Sequence, residues 1–220
     1  MTEQIVLLGN PVIDFTAVIE HFPVLPDDNQ KYTARFVTAG GPSTTLFMGA
    51  RLGLRMALLG QRGNDDFGAL WEHMAAHPNI DLSAIIPLAD RDTSVTVVLA
   101  DPHGQHVFLG SKQWLHPTLA ERPAWEAAVR AASLTVITGW QYRQFGSGLI
   151  LEVIDVVQDA GHSIIYDPGP EQHFWPADLT ARMLAAADAL LLTAHEAEFL
   201  TGRVLPPEDQ VRALLDCGPE

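Results

Sequence analysis

Short apolar runs alternate along the chain with segments of helical period. The runs with the length and content of buried strands are residues 4–9, 55–60, 134–138, 163–167 and 189–193. Between them, apolar residues recur at helical spacing in two stripes, Phe67-Leu70-Trp71-Met74 and Leu149-Val153-Ile154-Val157. Such alternation favours a mainly parallel sheet covered by helices, an α/β fold of the three-layer α/β/α sandwich type. We expect both stripes to lie in the core.

Two segments interrupt this rhythm. Residues 93–100 and 106–109 alternate or branch like antiparallel strands, and the turn-like residues 101–104 lie between them. Residues 15–38 also lack a helical period and contain Pro23 and Pro26. We expect these pieces, at about 15–38 and 92–110, to form a small β layer that projects from the main sheet. A β layer inserted at two separated points of an α/β chain suggests a lid over a binding site.

The composition narrows the range of partners. A chain of 220 residues, 47% of them hydrophobic, fits one domain over 1–220 with a substantial core. Its formal net charge is −14, and Lys31 and Lys112 are its only lysines. Nucleic-acid surfaces need clustered basic charge, so we expect no nucleic-acid partner.

The compartment follows from cysteine use and from hydropathy. Cys217 is the single cysteine, which excludes an intramolecular disulfide framework and favours a reducing, cytoplasmic location. The apolar run in MTEQIVLLGN is too short for a secretory signal, and no stretch approaches the length of a membrane span. We expect no membrane partner.

Polar and glycine residues follow several of the predicted strands. Gly9-Asn10 and then Asp14 follow the first strand, Asp167-Pro168-Gly169 ends a later one, and Thr193-Ala194-His195-Glu196 ends the last. Because ligands bind beyond the carboxyl ends of parallel strands, these residues are candidates for one pocket. A strand-end Asp taken alone is more often a helix cap.

A double glycine precedes a predicted helix in AGGPSTTLFMGARLG, residues 39–53. Glycine lets a ligand approach the main chain, and a helix N-terminus offers unpaired N–H groups to an oxygen-rich ligand. A tight turn between a strand and a helix is the alternative interpretation. Other familiar sites are absent from the sequence, namely a GxxxxGK[ST] loop, a GxGxxG segment, a zincin motif and a GxSxG elbow.

In their order and separation, several motifs together resemble the ribokinase-like (PfkB) carbohydrate kinase family from end to end of the chain. They are GNPVID at 9–14, the double-glycine helix opening with RLG at its end, GQRGNDDFG at 60–68, DPGP at 167–170 and TAHEAEFLTG at 193–202. The resemblance implies ATP-dependent phosphorylation of a sugar hydroxyl, with Mg²⁺ on the phosphates and a β lid over the sugar. It also implies a homodimer through the lid strands.

The resemblance also implies roles for particular residues. Asn10, Asp14, Gly40, Gly41 and Thr44 would bind the sugar, with Asp14 accepting hydrogen bonds from two hydroxyls. Glu196 matches the glutamate of the family's NxxE motif, which organises magnesium through water, and Thr193 stands where that motif has Asn. A first-turn acid that complements the helix dipole is the alternative for Glu196.

Two departures from the family pattern affect the expected activity. Thr44, or Thr45 in a neighbouring alignment, replaces the Asn of the double-glycine motif. The family's GAGD-like segment, which supplies the aspartate base and the anion-hole amides, does not occur in this sequence. We expect that base to lie beyond Glu220, which would make these 220 residues the N-terminal portion of the fold and inactive alone.

Two alternatives remain open. The chain is a sugar- or partner-binding remnant without turnover, or the acceptor is a nucleoside. A nucleobase pocket usually has an aromatic wall, and Trp114, Trp140 and Tyr142 are candidates for it, although core or lid packing explains them equally well.

Overall fold

The computed structural model describes residues 4–111 and 116–218. In chain order the strands are β1 (Gln4–Leu8), β2 (Val12–Val18), β3 (Ala34–Gly40), β4 (Arg55–Gly63), β5 (Ile80–Asp81), β6 (Ile85–Leu88), β7 (Ser94–Ala100), β8 (His106–Gly110), β9 (Leu134–Thr138), β10 (Ser163–Asp167) and β11 (Ala189–Leu190). The α-helices are α1 (Ser43–Arg51), α2 (Asp66–Met74), α3 (Pro123–Ala131), α4 (Gln141–Ala160), α5 (Ala177–Ala186), α6 (Ala194–Thr201) and α7 (Pro207–Leu215). A 3₁₀ helix spans Pro170–Phe174.

The main sheet is parallel and has the order β11-β10-β9-β1-β4-β5, with β6 pairing to the far end of β4. This confirms the mainly parallel sheet predicted from the sequence. The predicted strand 55–60 runs on to Gly63, because its last residues pair with β6. The predicted strand 189–193 was too long, because Thr193 already caps α6 and β11 ends at Leu190.

Helices cover both faces of this sheet. Alternation along β1 sends Val6 and Leu8 to the core under α3, α4 and α5, whereas Leu7 joins the core under α1 and α2. The predicted stripe of α4 is buried as expected. In α2, Trp71 is fully buried but Phe67 is 46% exposed, so its assignment to the core was wrong. Phe67 lies in the first turn of α2, whose buried residues are Gly68 and Trp71.

A second sheet of four strands has the order β3-β2-β7-β8. β2 pairs in parallel with β7, and the two outer pairs are antiparallel. Three of the strands lie within or nearly within the two segments that interrupt the α/β rhythm, whereas β2 begins at Val12, shortly after β1 ends and three residues before the predicted segment 15–38. The small β layer predicted from the sequence is therefore present, and it rises from the carboxyl end of β1.

Within the described ranges, no helix has the length and apolar character needed to span a bilayer.

Candidate functional site

The carboxylate of Asp14 lies directly against the backbone of Gly40. Asp14 is in β2, and Gly40 is the last residue of the neighbouring strand β3. A Cβ atom at position 40 would lie 2.1 Å from Asp14 Oδ2, far inside the 3.4–4 Å of ordinary van der Waals contact. The first glycine of the pair is therefore the residue that makes room for the carboxylate.

The second glycine turns the chain from β3 into α1. Gly41 has φ +59°, in the left-handed region that favours glycine, and its Cβ position lies 3.6 Å from the Asn10 carbonyl oxygen. A Cβ atom at Gly9 would lie 3.0 Å from Pro42 Cγ, so Gly9 also packs closely against this segment. The double-glycine segment therefore packs on the carboxyl end of β1. It is the tight turn between β3 and α1, and it borders Asp14; approach of a ligand to its main chain stays a prediction.

Buried hydrogen bonds fix this turn. The Ser43 hydroxyl donates to the Gly40 carbonyl over 2.6 Å and accepts from Trp71 Nε1 over 2.8 Å. Ser43 is fully buried, so the bonds hold the start of α1 against α2. Thr44 and Thr45 both lie exposed in the first turn of α1. Pro42 precedes them and makes no side-chain cap, so this turn keeps backbone N–H groups for other acceptors.

Asn10 connects the ends of three elements. Its Oδ1 accepts a hydrogen bond from the Gln61 N–H over 2.9 Å, and its own N–H donates to Gln144 Oε1 over 2.9 Å. Asn10 is 7% exposed. The geometry thus gives Asn10 a structural role in tying β4 and α4 to β1, next to the Asp14 and Gly40 pair.

Partial burial changes the electrostatics of Asp14. Its side chain is half-buried, and this burial raises the pKa of the Asp14 carboxyl above its ordinary value of 3.8. A carboxylate that has lost part of its water gains more from hydroxyl donors than an exposed one does. The site is therefore suited to a neutral ligand with several hydroxyl groups.

A second group of polar residues lies at the carboxyl ends of β10 and β11. Thr193 and Glu196 form a capping box: the Thr193 N–H donates to Glu196 Oε2 over 2.7 Å, and Thr193 Oγ1 accepts from the Glu196 N–H over 3.3 Å. These two reciprocal hydrogen bonds were not predicted, although the T-x-x-E spacing is the known sequence signature of a capping box. The structure therefore brings both predicted metal-site residues together in a helix cap.

Asp167 lies close to Glu196. Burial raises the pKa of the Asp167 carboxyl, and the Glu196 charge raises it further, against a hydrogen bond from the Gly169 backbone that lowers it. Within residues 4–111 and 116–218, no group of three or more His, Cys, Asp or Glu residues could hold a metal ion. The Asp167 and Glu196 charges interact at this edge, and Glu196 is also engaged in the capping box.

The candidate aromatic residues separate into different environments. Trp140 is 43% exposed at the carboxyl end of β9, with its Nε1 3.4 Å from the Cβ position of Gly169. Tyr142 is half-buried and packs on Trp175 with ring centroids 6.1 Å apart, which makes it a core residue. Trp114 lies outside the described residues.

Sequence reasoning also missed the role of Gln141. Its side chain donates to the Leu8 carbonyl and accepts from the Thr138 N–H, which joins the carboxyl ends of β1 and β9. It is 2% exposed. A single glutamine at the start of a helix carries no signal that would have revealed this contact.

A family model described as pfkB family carbohydrate kinase matches residues 2–220. The chain belongs to this family. The match covers both groups of polar residues and the second sheet. It confirms the resemblance read from the motifs.

Proteins similar in sequence to this chain include sugar kinases and a nucleoside kinase. A fructokinase of Klebsiella pneumoniae is 26% identical, over 92% of this chain and 64% of that protein. A nucleoside kinase of Methanothermobacter thermautotrophicus is 23% identical, over 98% of this chain and 67% of that protein. The chain thus spans about two thirds of the length of these relatives.

Solved structures confirm the ribokinase-like fold. An Arabidopsis thaliana ribokinase complexed with ribose and ATP superposes with a TM-score of 0.79 at 22% identity, covering 100% of this chain and 70% of that one. A fructokinase with bound ATP from Xylella fastidiosa has a TM-score of 0.76 at 18% identity, covering 100% of this chain and 71% of that one.

Proposed function

We propose that this chain binds a sugar for an ATP-dependent kinase that transfers the γ-phosphoryl group to a sugar hydroxyl. The observation that carries the proposal is the Asp14 carboxylate seated on Gly40 at the carboxyl end of β1. Family membership supports it, since this is a family of carbohydrate kinases.

The substrate contacts follow from the chemistry of a polyol. Asp14 accepts hydrogen bonds from two sugar hydroxyls, each worth about 1.5–3 kcal/mol net because the acceptor is charged. Gly40 and Gly41 let the sugar approach the main chain, and Thr44 or Thr45 adds a hydroxyl contact. Asn10 supports the site by holding the ends of β1 and β4 together.

The second sheet acts as a lid in this proposal, with segments at about 15–38 and 92–110. It carries Asp14 on β2, so closing it over the sugar brings the carboxylate to the ligand and excludes water. Exclusion of water favours transfer to the sugar over hydrolysis of the phosphate.

ATP and Mg²⁺ are the cofactors of the proposed reaction. Magnesium usually keeps several waters and uses one or two carboxylates together with substrate phosphates, and Asp167 and Glu196, whose charges interact, are the carboxylates that would take this part. A cation there would also relieve the repulsion that contributes to the raised pKa of Asp167. These residues would hold the ion where it would neutralise charge on the phosphates. Glu196 would hold a water beside it, and Thr193 would orient Glu196.

We propose that the 220 residues bind sugar but do not turn it over. The family's GAGD-like segment is absent from the sequence, and with it the expected aspartate base and anion-hole amides. Loss of even one such donor costs about 10²–10³ in rate. ATP turnover measured on a panel of ketoses and aldoses tests this, and clear catalysis by the chain contradicts it.

Sugar binding itself is tested by calorimetry. We expect fructose or ribose to bind the chain, and Asp14→Asn to weaken binding at least tenfold while the fold is retained. Asp159→Asn, which changes an exposed carboxylate on α4, is the matched control and should bind like the unsubstituted chain. Equal affinity in the two variants would remove Asp14 from the site.

A nucleoside acceptor is the second candidate function. Trp140 is exposed at the carboxyl edge, where it could stack on a base, and one relative is a nucleoside kinase. Adenosine binding that is tighter than fructose binding and is lost in Trp140→Ala would favour it. Tight fructose binding that is unaffected by Trp140→Ala favours the sugar.

A homodimer through the lid strands completes the proposal. The edge strands of the second sheet carry exposed apolar residues, including Phe36 at 55% and Phe108 at 57%. Exposed edges of this kind favour pairing with another chain. Light scattering with Phe108→Lys, which is expected to shift the mass towards the monomer, tests the proposed dimer.

The exposed thiol of Cys217 supports a cytoplasmic location.

A further inference from the structure

The GQRGNDDFG segment, residues 60–68, supplies no residue to the proposed sugar contacts and none to the pair of Asp167 and Glu196. It nevertheless makes several hydrogen bonds, within itself and to Thr93. Asp65 caps α2, and its Oδ1 accepts from the Gly68 N–H over 2.8 Å. The same carboxylate accepts from the Thr93 N–H over 2.8 Å and from the Thr93 hydroxyl over 2.6 Å. One side chain thus holds both a helix and the residue that enters β7.

Thr93 is enclosed by this segment. It is 2% exposed, and its Oγ1 accepts a hydrogen bond from the Gly63 N–H over 3.0 Å. A Cβ atom at position 63 would lie 2.4 Å from the Thr93 backbone nitrogen, and one at position 68 would lie 2.9 Å from Thr93 Oγ1. Gly63 is therefore explained by the backbone that leads into Thr93, and Gly68 by the Gly63 carbonyl oxygen, 2.5 Å from its Cβ position, together with the Thr93 hydroxyl.

This contact is one of the attachments of the second sheet to the main sheet. Thr93 immediately precedes β7, and β7 pairs along its length with β2, where Thr96 is the register partner of Asp14. The same end of β2, which begins at Val12 opposite Ser94, is also attached through Asn10, whose Oδ1 accepts from the Gln61 N–H. The position of Asp14 therefore depends on both attachments.

We propose that Asp65 and Thr93 are positioning residues: they anchor β7 on the end of β4 and thereby hold β2, with Asp14, at the mouth of the site. They contact no substrate in this scheme. The claim that these residues position Asp14 for a substrate rests on the proposed sugar site. The anchor itself rests on the contacts of Asp65 and Thr93 alone.

Two variants separate the anchor from the helix cap. In Asp65→Asn the amide oxygen can still cap α2, because Asn and Asp cap about equally well, but the NH₂ group opposes the Thr93 N–H. In Thr93→Val the shape is kept, whereas the hydroxyl bonds to Asp65 and Gly63 are lost. Thr93→Ser keeps the hydroxyl and should restore native behaviour.

Hydrogen exchange measured by mass spectrometry reads the anchor directly. We expect the amides of β2 and β7 to exchange about tenfold faster or more in Asp65→Asn and Thr93→Val, and those of β9 and β10 to keep their native rates. Asp188→Asn is the matched control, because Asp188 Oδ2 accepts from the Ile164 N–H in the main sheet. It should speed exchange around β10 alone.

Native exchange rates in β2 and β7 would overturn the anchor, and so would an acceleration shared equally by β9 and β10. If Thr93→Val does not fold, Asp65→Asn decides alone. Calorimetry with fructose then tests the link to Asp14, with about tenfold weaker binding expected in Asp65→Asn. Native affinity together with faster exchange overturns the positioning role. An unsubstituted chain that binds no fructose refutes the sugar site instead, while exchange still decides the anchor.

Discussion

Gly40→Ala tests the contact on which the proposed site depends. The new methyl group would lie 2.1 Å from Asp14 Oδ2, 2.2 Å from Cγ and 2.2 Å from Oδ1, so the carboxylate cannot keep its place. The atoms that must move are the end of one short, half-buried side chain. We expect the Asp14 carboxylate to rotate away, at a cost of about 0.5–1.5 kcal/mol in stability.

Sugar affinity should suffer much more than stability. If rotation removes one or both charge-assisted hydrogen bonds, at about 1.5–3 kcal/mol each, then fructose should bind on the order of tenfold to several hundredfold more weakly. Calorimetric titration gives the affinity, and thermal unfolding gives the stability. A melting temperature close to that of the unsubstituted chain together with a large loss of affinity is the expected result.

Two other glycines provide controls. Gly148 lies in α4, two residues after the kink at Gly146, with nothing within 4 Å of its Cβ position, so Gly148→Ala should leave affinity unchanged and stabilise the chain by about 0.4–1 kcal/mol through the unfolded state. At Gly139 a Cβ atom would lie 1.6 Å from the Pro168 carbonyl oxygen, so Gly139→Ala should destabilise the fold, because backbone must move. Native fructose affinity in Gly40→Ala would refute the reasoning.

Three further predictions concern the raised pKa of Asp14, the lowered pKa of Asp65 and the helix cap formed by Thr193. Fructose affinity should fall as the pH is lowered through the pKa of Asp14, which lies above 3.8, because the ionised carboxylate is the acceptor; titrations between pH 7 and pH 4 that show constant affinity would contradict this. Burial opposes ionisation of Asp65, but the hydrogen bonds from Thr93 and Gly68 outweigh it and lower the pKa of that carboxyl, so its stabilisation is present above the unfolded value of 3.8 and is lost as the pH falls through the lowered one. Asp65→Asn should therefore destabilise the chain more at pH 7 than at acidic pH, by thermal unfolding at each pH. Thr193→Ala should remove about 1 kcal/mol, or about 2–4 °C of melting temperature, while Thr193→Ser should stay near native.

The layers of the fold were predictable because parallel strands and covering helices repeat a simple pattern. The apolar strands β9 and β10 were found to the residue, since both ends are marked by polar or turn residues. The end of β11 was not found, because the apolar run continues through Leu191 and Leu192 whereas the strand ends at Leu190, after which Leu191 makes one further backbone hydrogen bond to Tyr166. An apolar run therefore does not by itself mark where a strand ends, and Leu191 is in fact 59% exposed.

The site was predictable only in part. Asp14 and the two glycines stood out through motif and composition, and the structure places them together. Gln141, Gln61 and Thr93 did not stand out, because each acts through hydrogen bonds to residues far away in the sequence. The T-x-x-E spacing of Thr193 and Glu196 is enough to predict their capping box. The same residues match the kinase motif, and they were therefore assigned to a metal site instead.

A crystal of the chain soaked with fructose tests the central claim most directly. The account predicts the sugar at the carboxyl end of β1, with hydroxyl oxygens within hydrogen-bond distance of the Asp14 carboxylate and carbon atoms against Gly40 and Gly41. A mouth filled by packed side chains, with the sugar bound elsewhere or not at all, would contradict it.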